Sequence, residues 1–312
     1  MLAFGPVPSR RLGRSVGVNN IPPKACTYSC VYCQLGRTKK MRMERREFYP
    51  SGEILAAVRD KVEQANRCGA VIDYLTFVAD GEPTLDMHLG QTISLLRPLA
   101  IKIAVITNAS LIWREDVRAD LGQADWVSLK VDALCTESWR TVDRPHGGLK
   151  LADILDGMLT FAGSYAGELV TETMLVQGIN DSDQEIDAVA DFLARLKPAR
   201  AYLSIPTRPP AEQYVRPPAE ATVNRAYQHF SKKLATVEYL IGYEGNTFSC
   251  TGDVAEDLMS ITAVHPMREE ALQDYLKDAG ADWQVIRQLL LQGQMVEIDF
   301  AGRKYYMRKL QG

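Results

Sequence analysis

The chain has 312 residues, of which 46% are hydrophobic and 24% charged, and its formal net charge is −3. This composition is ordinary for a globular protein, and no run of about 18 apolar residues is present to span a membrane. With no secretory signal at the N-terminus, the sequence predicts a cytoplasmic protein without a membrane partner, large enough for one sizeable domain and a smaller one.

The first 50 residues combine a short predicted strand, three close cysteines and an excess of positive charge. The strand covers 15–20, and Cys26, Cys30 and Cys33 follow it within "KACTYSCVYCQLGRT". This segment has ten Lys and Arg against two Glu, a balance of +8, whereas residues 250–312 have a balance of −3. The basic stretch is either a solvated loop or a site for an anionic substrate.

From residue 51 to 241, strand-like and helix-like segments alternate. Further strands are predicted at 71–79, 101–107, 124–132, 168–176 and 200–206, and helices at 53–65, 89–99, 114–122, 151–163, 181–196 and 219–235. Strands that are apolar on both faces and alternate with helices indicate a parallel sheet covered by helices. Six such units predict an α/β fold, a partial (β/α)6 TIM-like barrel, with a flat doubly wound sheet as the alternative.

A second, smaller module is predicted after a Gly-containing linker at 242–253. Two amphipathic helices, 268–280 and 282–293, precede a β-hairpin at 294–310. This order is typical of a winged helix. The sequence therefore predicts a barrel domain over 1–245 and a winged-helix domain over 254–312.

The three close cysteines, hereafter the cysteine motif (26–33), suggest metal ligation because the cytosol keeps thiols reduced. Tetrahedral zinc and ordinary iron–sulfur sites use four ligands, so the motif is one short. A zinc site is disfavoured because Cys68, Cys135 and Cys250 are single and scattered. The first two lie on helix-like segments and are expected to be buried or incidental.

Every candidate functional residue comes directly after a predicted strand. The cysteine motif follows the first strand, and Gly81, Glu82 and Pro83, hereafter the Gly-Glu-Pro motif, follow the second. The next four strands end near Thr107-Asn108, Lys130, Gly178-Ile179-Asn180 and Ile205-Pro206. A barrel carries its chemistry on loops at these carboxyl ends, so the residues should come together there.

The spacing of the cysteine motif, with Tyr32 before its last cysteine, resembles the hallmark of the radical S-adenosylmethionine (radical SAM) superfamily. The Gly-Glu-Pro motif resembles that family's second motif, and the resemblance covers residues 5–210. It implies that three thiolates hold a [4Fe–4S] cluster whose fourth iron takes the amino and carboxylate groups of S-adenosylmethionine (SAM). The reduced cluster would cleave SAM to a 5′-deoxyadenosyl radical that abstracts hydrogen from a substrate, with electrons supplied by a donor such as flavodoxin or ferredoxin.

The resemblance also implies which residues surround SAM. Gly81, Glu82 and Pro83 are expected at its methionine end. Thr107, Asn108 and Lys130 are expected near its carboxylate or ribose. Tyr32, Ile179 and Ile205 are expected near its adenine. His146 is either an acid–base group facing the site or a residue that shapes its Pro/Gly loop.

Within the superfamily, the N-terminal stretch and "DGEPTL" look like the branch related to tRNA wyosine synthase. That enzyme carries a second cluster on upstream cysteines, but Cys26 is the first cysteine of this chain. Three interpretations follow: a radical SAM enzyme that modifies a macromolecule (RNA, peptide or protein), one with a small-molecule substrate, and an iron–sulfur winged-helix regulator. The last is disfavoured, because a DNA reader needs cations on its recognition helix and 282–293 offers Arg287 alone.

Overall fold

The computed structural model describes residues 1–78, 80–241, 253–264, 266–300 and 302–309. Most of the predicted linker at 242–253, and with it the predicted domain boundary, lies outside these ranges. No helix among the described residues is long and apolar enough to cross a lipid bilayer.

An eight-stranded sheet forms the body of the protein, with its strands side by side in chain order. The first two are antiparallel, and every later strand is parallel to the one before it. The strands are β1 (Ala3–Ser9), β2 (Gly13–Val18), β3 (Tyr74–Phe77), β4 (Lys102–Thr107), β5 (Trp126–Lys130), β6 (Glu168–Met174), β7 (Arg200–Ser204) and β8 (Val237–Leu240). The parallel order confirms the α/β class and is consistent with a partial barrel.

Helices connect the parallel strands and cover the sheet. They are α1 (Ser51–Arg67), α2 (Leu89–Leu96), α3 (Glu115–Leu121), α4 (Thr136–Val142), α5 (Leu151–Ser164), α6 (Asp183–Leu196) and α7 (Glu220–Ser231). Their apolar faces join the strands in one core, in which Ile54, Ile93 and Phe161 are almost wholly buried. The six predicted helices correspond to all of these except α4.

The six predicted strands are β2 to β7, whereas β1 and β8 were not predicted. β1 contains Pro6 and Pro8, which remove backbone donors, and its register with β2 shifts between Phe4 and Val7. β8 is only four residues long, and just Val237 and Leu240 are buried. Both lie at edges of the sheet, where the alternation of apolar residues is weakest.

The turn between β1 and β2 fills one end of the barrel. Leu12 is buried against the Trp126 and Tyr202 rings, and the Arg11 guanidinium lies 5.9 Å from both ring centroids. Arg10 donates from Nη2 to the Leu240 carbonyl at 3.1 Å, joining the turn to the far edge of the sheet. The amino ends of the strands are therefore closed, and the carboxyl ends are left for ligands.

The C-terminal residues form a separate small core. α8 (Val254–Val264), β9 (Met267–Arg268), α9 (Glu269–Asp278), α10 (Gln284–Leu291), β10 (Met295–Phe300) and β11 (Arg303–Arg308) follow one another, with the three strands in the order β10-β11-β9. The predicted helices and hairpin are present, and the winged-helix assignment stays a prediction. Val7 packs against this core, and the Tyr305 hydroxyl donates to the Thr207 carbonyl at 3.0 Å.

Gly17 tests the packing of β1 on β2. A Cβ at this position would lie 1.9 Å from Cζ of the buried Phe4 ring. Gly17→Ala should lower the free energy of unfolding by about 1–3 kcal/mol, because the ring must move within a packed core. Gly163→Ala on α5, where a Cβ meets nothing within 4 Å, should be neutral or stabilising by about 0.5–1 kcal/mol. Equal denaturation midpoints for the two variants would contradict this account.

Candidate functional site at the carboxyl ends of the strands

The predicted site residues do lie at the carboxyl ends of the parallel strands. The cysteine motif lies in the long connection from β2 to α1, hereafter the cysteine loop (19–50). The Gly-Glu-Pro motif lies after β3. Thr107 ends β4, Lys130 ends β5, and Ile205 directly follows β7. The parallel register thus brings segments far apart in sequence to one rim.

The Gly-Glu-Pro motif is hydrogen-bonded to the cysteine loop along its backbone. Lys24 N–H donates to the Asp80 carbonyl at 2.7 Å, and Glu82 N–H donates to the Ala25 carbonyl at 2.9 Å. A Cβ on Gly81 would lie 2.0 Å from that same Ala25 oxygen. A glycine at position 81 is therefore required for the two loops to approach this closely.

The other side of the cysteine loop is attached to the end of α4. Ser29 N–H donates to the Asp143 carbonyl at 3.1 Å, and Val31 N–H to the Val142 carbonyl at 2.9 Å. The Trp139 indole donates to the Tyr28 hydroxyl at 3.2 Å. α4 was not predicted, yet it holds one side of the cysteine loop, while the segment of the Gly-Glu-Pro motif holds the other.

The Cys26 and Cys33 thiols have nearby donors that would stabilise negative sulfur, whereas the Cys30 thiol faces the Asp143 carboxylate. Asn108 Nδ2 lies 3.6 Å from Cys26 Sγ, Tyr28 N–H donates to the same sulfur at 3.4 Å, and Lys24 Nζ lies 3.6 Å from Cys33 Sγ. Burial, with Glu82 as a second cause, raises the pKa of Cys26 to about 12, and burial also raises the pKa of Cys30. Without added positive charge these two thiols stay protonated, so a metal is needed to hold them as thiolates.

In the part of the chain that the structure describes, no group of three or more His, Cys, Asp or Glu side chains is arranged around a single metal ion. Each cysteine of a [4Fe–4S] cluster binds a different iron, so the thiols need not converge on one point. The arrangement is compatible with a cluster.

Glu82 is a buried carboxylate that joins the motif to the end of β4. Its Oε1 accepts from Thr84 Oγ1 at 2.6 Å and from Thr107 Oγ1 at 2.6 Å, and its Oε2 accepts from Asn108 N–H at 2.7 Å. Burial raises the pKa of Glu82, and these donors partly offset that effect. Because its oxygens already have protein partners, a place for Glu82 at the methionine end of SAM stays a prediction.

A cavity of about 320 Å³ lies inside the barrel beneath the cysteine loop. It is lined by the predicted residues Tyr32, Cys33, Lys130 and Ile205 and by several that were not predicted, among them Arg11, Glu172, Met174, Ser204 and Arg208. Its volume falls within the range of small-molecule sites, about 300–1,000 Å³.

A chain of buried charges runs along this cavity. Glu172 accepts from Arg11 at 2.6 Å, from Lys130 at 3.2 Å and from Ser204 Oγ at 3.0 Å. Burial alone would raise the pKa of Glu172, but the cations Lys130 and Arg11 hold it at about 2. The pKa of Lys130 is raised despite its burial, because Asp132 and Glu172 lie beside it. Glu172 and Lys130 are therefore charged at neutral pH.

Tyr32 extends the chain of polar contacts to the cysteines. Its hydroxyl donates to Asp132 and lies 3.3 Å from Asp143 Oδ1, which also accepts from Cys30 Sγ at 3.4 Å. Burial and then Asp132 raise the pKa of Asp143. Lys130 Nζ lies 4.8 Å from the centroid of the Tyr32 ring. The predicted aromatic thus bridges the cysteine motif and the barrel interior.

Some predicted residues do not line the cavity. Thr107 and Asn108 lie between Glu82 and the cysteine loop, where Asn108 Nδ2 donates to Thr27 Oγ1 at 2.8 Å. Ile179 packs against the main core. His146 N–H donates to the Thr27 carbonyl, and His146 Nδ1 accepts from Gly148 N–H at 3.1 Å, so the contacts of His146 are those of a loop-shaping residue.

Of the charged residues in the barrel interior, sequence reasoning found Lys130 but missed Arg11 and Glu172. Glu172 had a detectable signal, because it is a charged residue inside a predicted strand. Arg11 had none, since it precedes β2 and reaches the cavity only through the turn. Asp143 belongs to the unpredicted end of α4.

Residues 20–193 match the Radical SAM superfamily, and the chain belongs to that family and is an enzyme of it. Membership implies a [4Fe–4S] cluster and SAM as cofactors. The chain is 44% identical over 311 residues to UPF0026 protein MJ1312 of Methanocaldococcus jannaschii, a match that covers 99% of this chain and 96% of that one.

Two solved structures share the fold at low sequence identity. A radical SAM methyltransferase from Sphaerobacter thermophilus is 17% identical with a TM-score of 0.56, covering 73% of this chain and 66% of that one. TYW1 with a lysine-pyruvate adduct bound is 15% identical with a TM-score of 0.51, covering 70% and 74%. TYW1 is the wyosine synthase, and at this identity the likeness to it is one of fold.

Asp80, the residue before the Gly-Glu-Pro motif, provides a pH test of this loop. It is buried, and its Oδ1 has no hydrogen-bond partner among the described residues. Burial raises its pKa from 3.8 to about 6, with Arg308 opposing the shift. Ionisation is therefore penalised in the folded apoprotein, whose stability should fall as pH rises from about 4 to 6.

Asp80→Asn should remove that penalty. The variant should be more stable than the parent by up to about 3 kcal/mol at pH 8, and the difference should vanish near pH 3.5. Denaturant unfolding across this pH range measures it, with Asp60→Asn on the exposed side of α1 as a surface control. A pH-independent difference between Asp80→Asn and the parent would contradict the assignment.

Proposed function

We propose that Cys26, Cys30 and Cys33 bind one [4Fe–4S] cluster and that SAM occupies the barrel cavity beneath it. The observation that carries the proposal is the direct backbone pairing of the cysteine loop with the Gly-Glu-Pro motif above a charged cavity. The donors around the sulfurs fit a cluster, because hydrogen bonds to the ligand sulfurs help to set its reduction potential.

When bound, these cofactors supply the electron and the 5′-deoxyadenosyl radical that abstracts hydrogen from a substrate. The chain's own residues position them. Lys130, Tyr32 and Ile205 line the cavity. Lys130 offers a cation to the carboxylate or ribose, and Tyr32 and Ile205 offer a ring and an apolar side chain to the adenine. Glu82 acts indirectly, because its carboxylate accepts hydrogen bonds from Thr84, Thr107 and Asn108 and holds them in place.

For the substrate, we favour a macromolecule, either RNA or a peptide or protein. Two features support this choice: the basic segment beside the cysteine motif, and the C-terminal module, which contacts the rim of the cavity through Tyr305 and Thr207. If the module is a winged helix, as predicted, it would recruit or orient that substrate. A small-molecule substrate is the alternative.

The cluster assignment predicts that removing any one of the three cysteines disrupts iron binding. Protein reconstituted without oxygen should contain about four iron and four sulfide per chain, as the cluster formula requires. Cys26→Ala, Cys30→Ala and Cys33→Ala should each lose most of this content and the visible absorption of the cluster.

Cys68→Ala and Cys135→Ala are matched controls, because both residues are exposed, and they should keep the full content. Full iron in a variant lacking all three motif cysteines would refute the assignment, as would tightly bound zinc in the parent.

The role of Glu82 predicts a loss of SAM binding with the cluster retained. Glu82→Gln preserves the volume but turns an amide donor toward groups that are themselves donors. Displacing them should weaken SAM affinity by on the order of 10–100-fold, the scale of one charge-assisted hydrogen bond.

Equilibrium binding of SAM and the yield of 5′-deoxyadenosine measure this effect. Glu168→Gln, at the exposed start of β6, is the control. Unchanged SAM affinity and cleavage in Glu82→Gln would show that the hydrogen bonds of the Glu82 carboxylate are not needed for SAM binding.

A further inference from the structure

A second cavity, of about 480 Å³, lies on the outer side of the cysteine loop. Its lining contains six cations and no carboxylate: Lys24, Arg37, Lys39, Lys40, Arg42 and Arg46. We call it the basic cavity. It has the volume of a ligand site, and its charge selects an anion.

Half of these cations are free for a ligand. Arg37 makes two bonds of 2.6 Å to Glu212, Lys24 is directed toward the Gly36 carbonyl and Cys33, and Arg46 lies over the Phe48 ring at 4.7 Å. Lys39, Lys40 and Arg42 form no side-chain hydrogen bond or ion pair within the described ranges. Unpaired like charges repel one another, so their concentration here is unfavourable until an anion binds.

The backbone holds these cations in fixed positions beside the cysteines. Thr38 N–H donates to Ser29 Oγ at 3.0 Å, Arg42 N–H to the Cys26 carbonyl at 3.0 Å, and Gly36 N–H to the Cys33 carbonyl at 3.1 Å. The cavity is therefore built on the same framework as the cysteine motif, and a preformed site loses less entropy on binding.

The basic cavity also adjoins the barrel cavity. Leu35 lines both cavities. A ligand anchored by the cations would thus lie one side chain away from the chamber that we assign to SAM.

We propose that the basic cavity binds phosphate groups of the enzyme's substrate, such as those of an RNA strand or of a free nucleotide. This inference rests on the proposed function for its location beside the radical chemistry. Phosphate suits the cavity because each group presents several oxygens to Lys and Arg donors. No aromatic side chain lines it, so it offers contacts to a backbone and no platform for stacking bases.

The surrounding charge directs such a ligand to this face. The whole chain has a net charge of −3, although its first 50 residues have a balance of +8. A polyanion is repelled by most of the surface and attracted to the basic cavity, which orients it during encounter.

The test compares the triple variant Lys39→Gln/Lys40→Gln/Arg42→Gln with a control of equal charge loss, Arg59→Gln/Lys150→Gln/Lys277→Gln, whose cations are exposed and distant in sequence. The ligands are a fluorescent 20-nucleotide single-stranded RNA, ATP, pyrophosphate and poly-glutamate. Anisotropy and competition should show RNA affinity at least about tenfold lower in the first variant than in the parent, and nearly unchanged in the control. The slope of log affinity against log salt should fall by about 2, since each lost phosphate contact to a single strand removes about 0.7.

Comparing the four ligands distinguishes a phosphodiester strand from a free nucleotide as the source of the phosphate groups. Binding of RNA without ATP or pyrophosphate identifies a phosphodiester strand, and binding of ATP or pyrophosphate alone identifies a nucleotide; both support the proposal. The proposal is overturned if the parent binds none of the phosphate ligands, if the first variant binds every one of them as tightly as the parent does, or if poly-glutamate binds as tightly as any phosphate ligand. Cluster content and substrate-free SAM cleavage are measured in the same samples, so a parent without a cluster refutes the proposed function independently of phosphate binding.

Discussion

The structure of the site depends on one buried carboxylate, that of Glu82. Its side chain accepts hydrogen bonds from both the motif and the end of β4, while its backbone N–H reaches the cysteine loop. A buried carboxylate is costly unless its lone pairs are satisfied, and here each donor comes from a segment that the site must position. The same group therefore keeps together β3, β4 and the loop that carries the cysteines. Gly81 makes this possible, because any side chain there would separate the two loops.

The barrel interior contains charged side chains, whereas the core around it is apolar. Apolar residues pack outward against the helices, whereas Arg11, Lys130, Asp132 and Glu172 form ion pairs inside. Burying charges contributes little to stability, because desolvation offsets most of the attraction. Their presence is better explained by a charged ligand. Arg11 enters from the closed end on the β1–β2 turn, so the element that plugs the barrel also supplies a cation to its cavity.

Periodicity was sufficient to predict the strands and helices whose burial is regular. The six strands β2 to β7, and the location of the candidate residues at their carboxyl ends, follow from the sequence pattern alone. β1 was missed because its prolines and irregular register break that pattern, and α4 because seven residues give too short a repeat. The long-range partners of Glu82, Tyr32 and Glu172 were also beyond reach, since these contacts join residues 25, 100 and 161 positions apart through the tertiary fold. Sequence thus indicated which residues matter but not what each one touches.

The loop between β2 and α1 contains both the three close cysteines and seven of the ten Lys and Arg of the first 50 residues, and this combination has a physical consequence. Cations near the cysteine motif stabilise thiolates and oppose the effect of burial on the thiol pKa, as Lys24 does for the pKa of Cys26. Cations farther along, at Lys39, Lys40 and Arg42, face outward into the basic cavity. An anion bound there would partly cancel the positive field at the cysteine motif. Because the cations and the thiols share one short loop, binding of an anion and the reduction potential of any cluster held at Cys26, Cys30 and Cys33 are electrostatically coupled, with the bound anion making reduction harder.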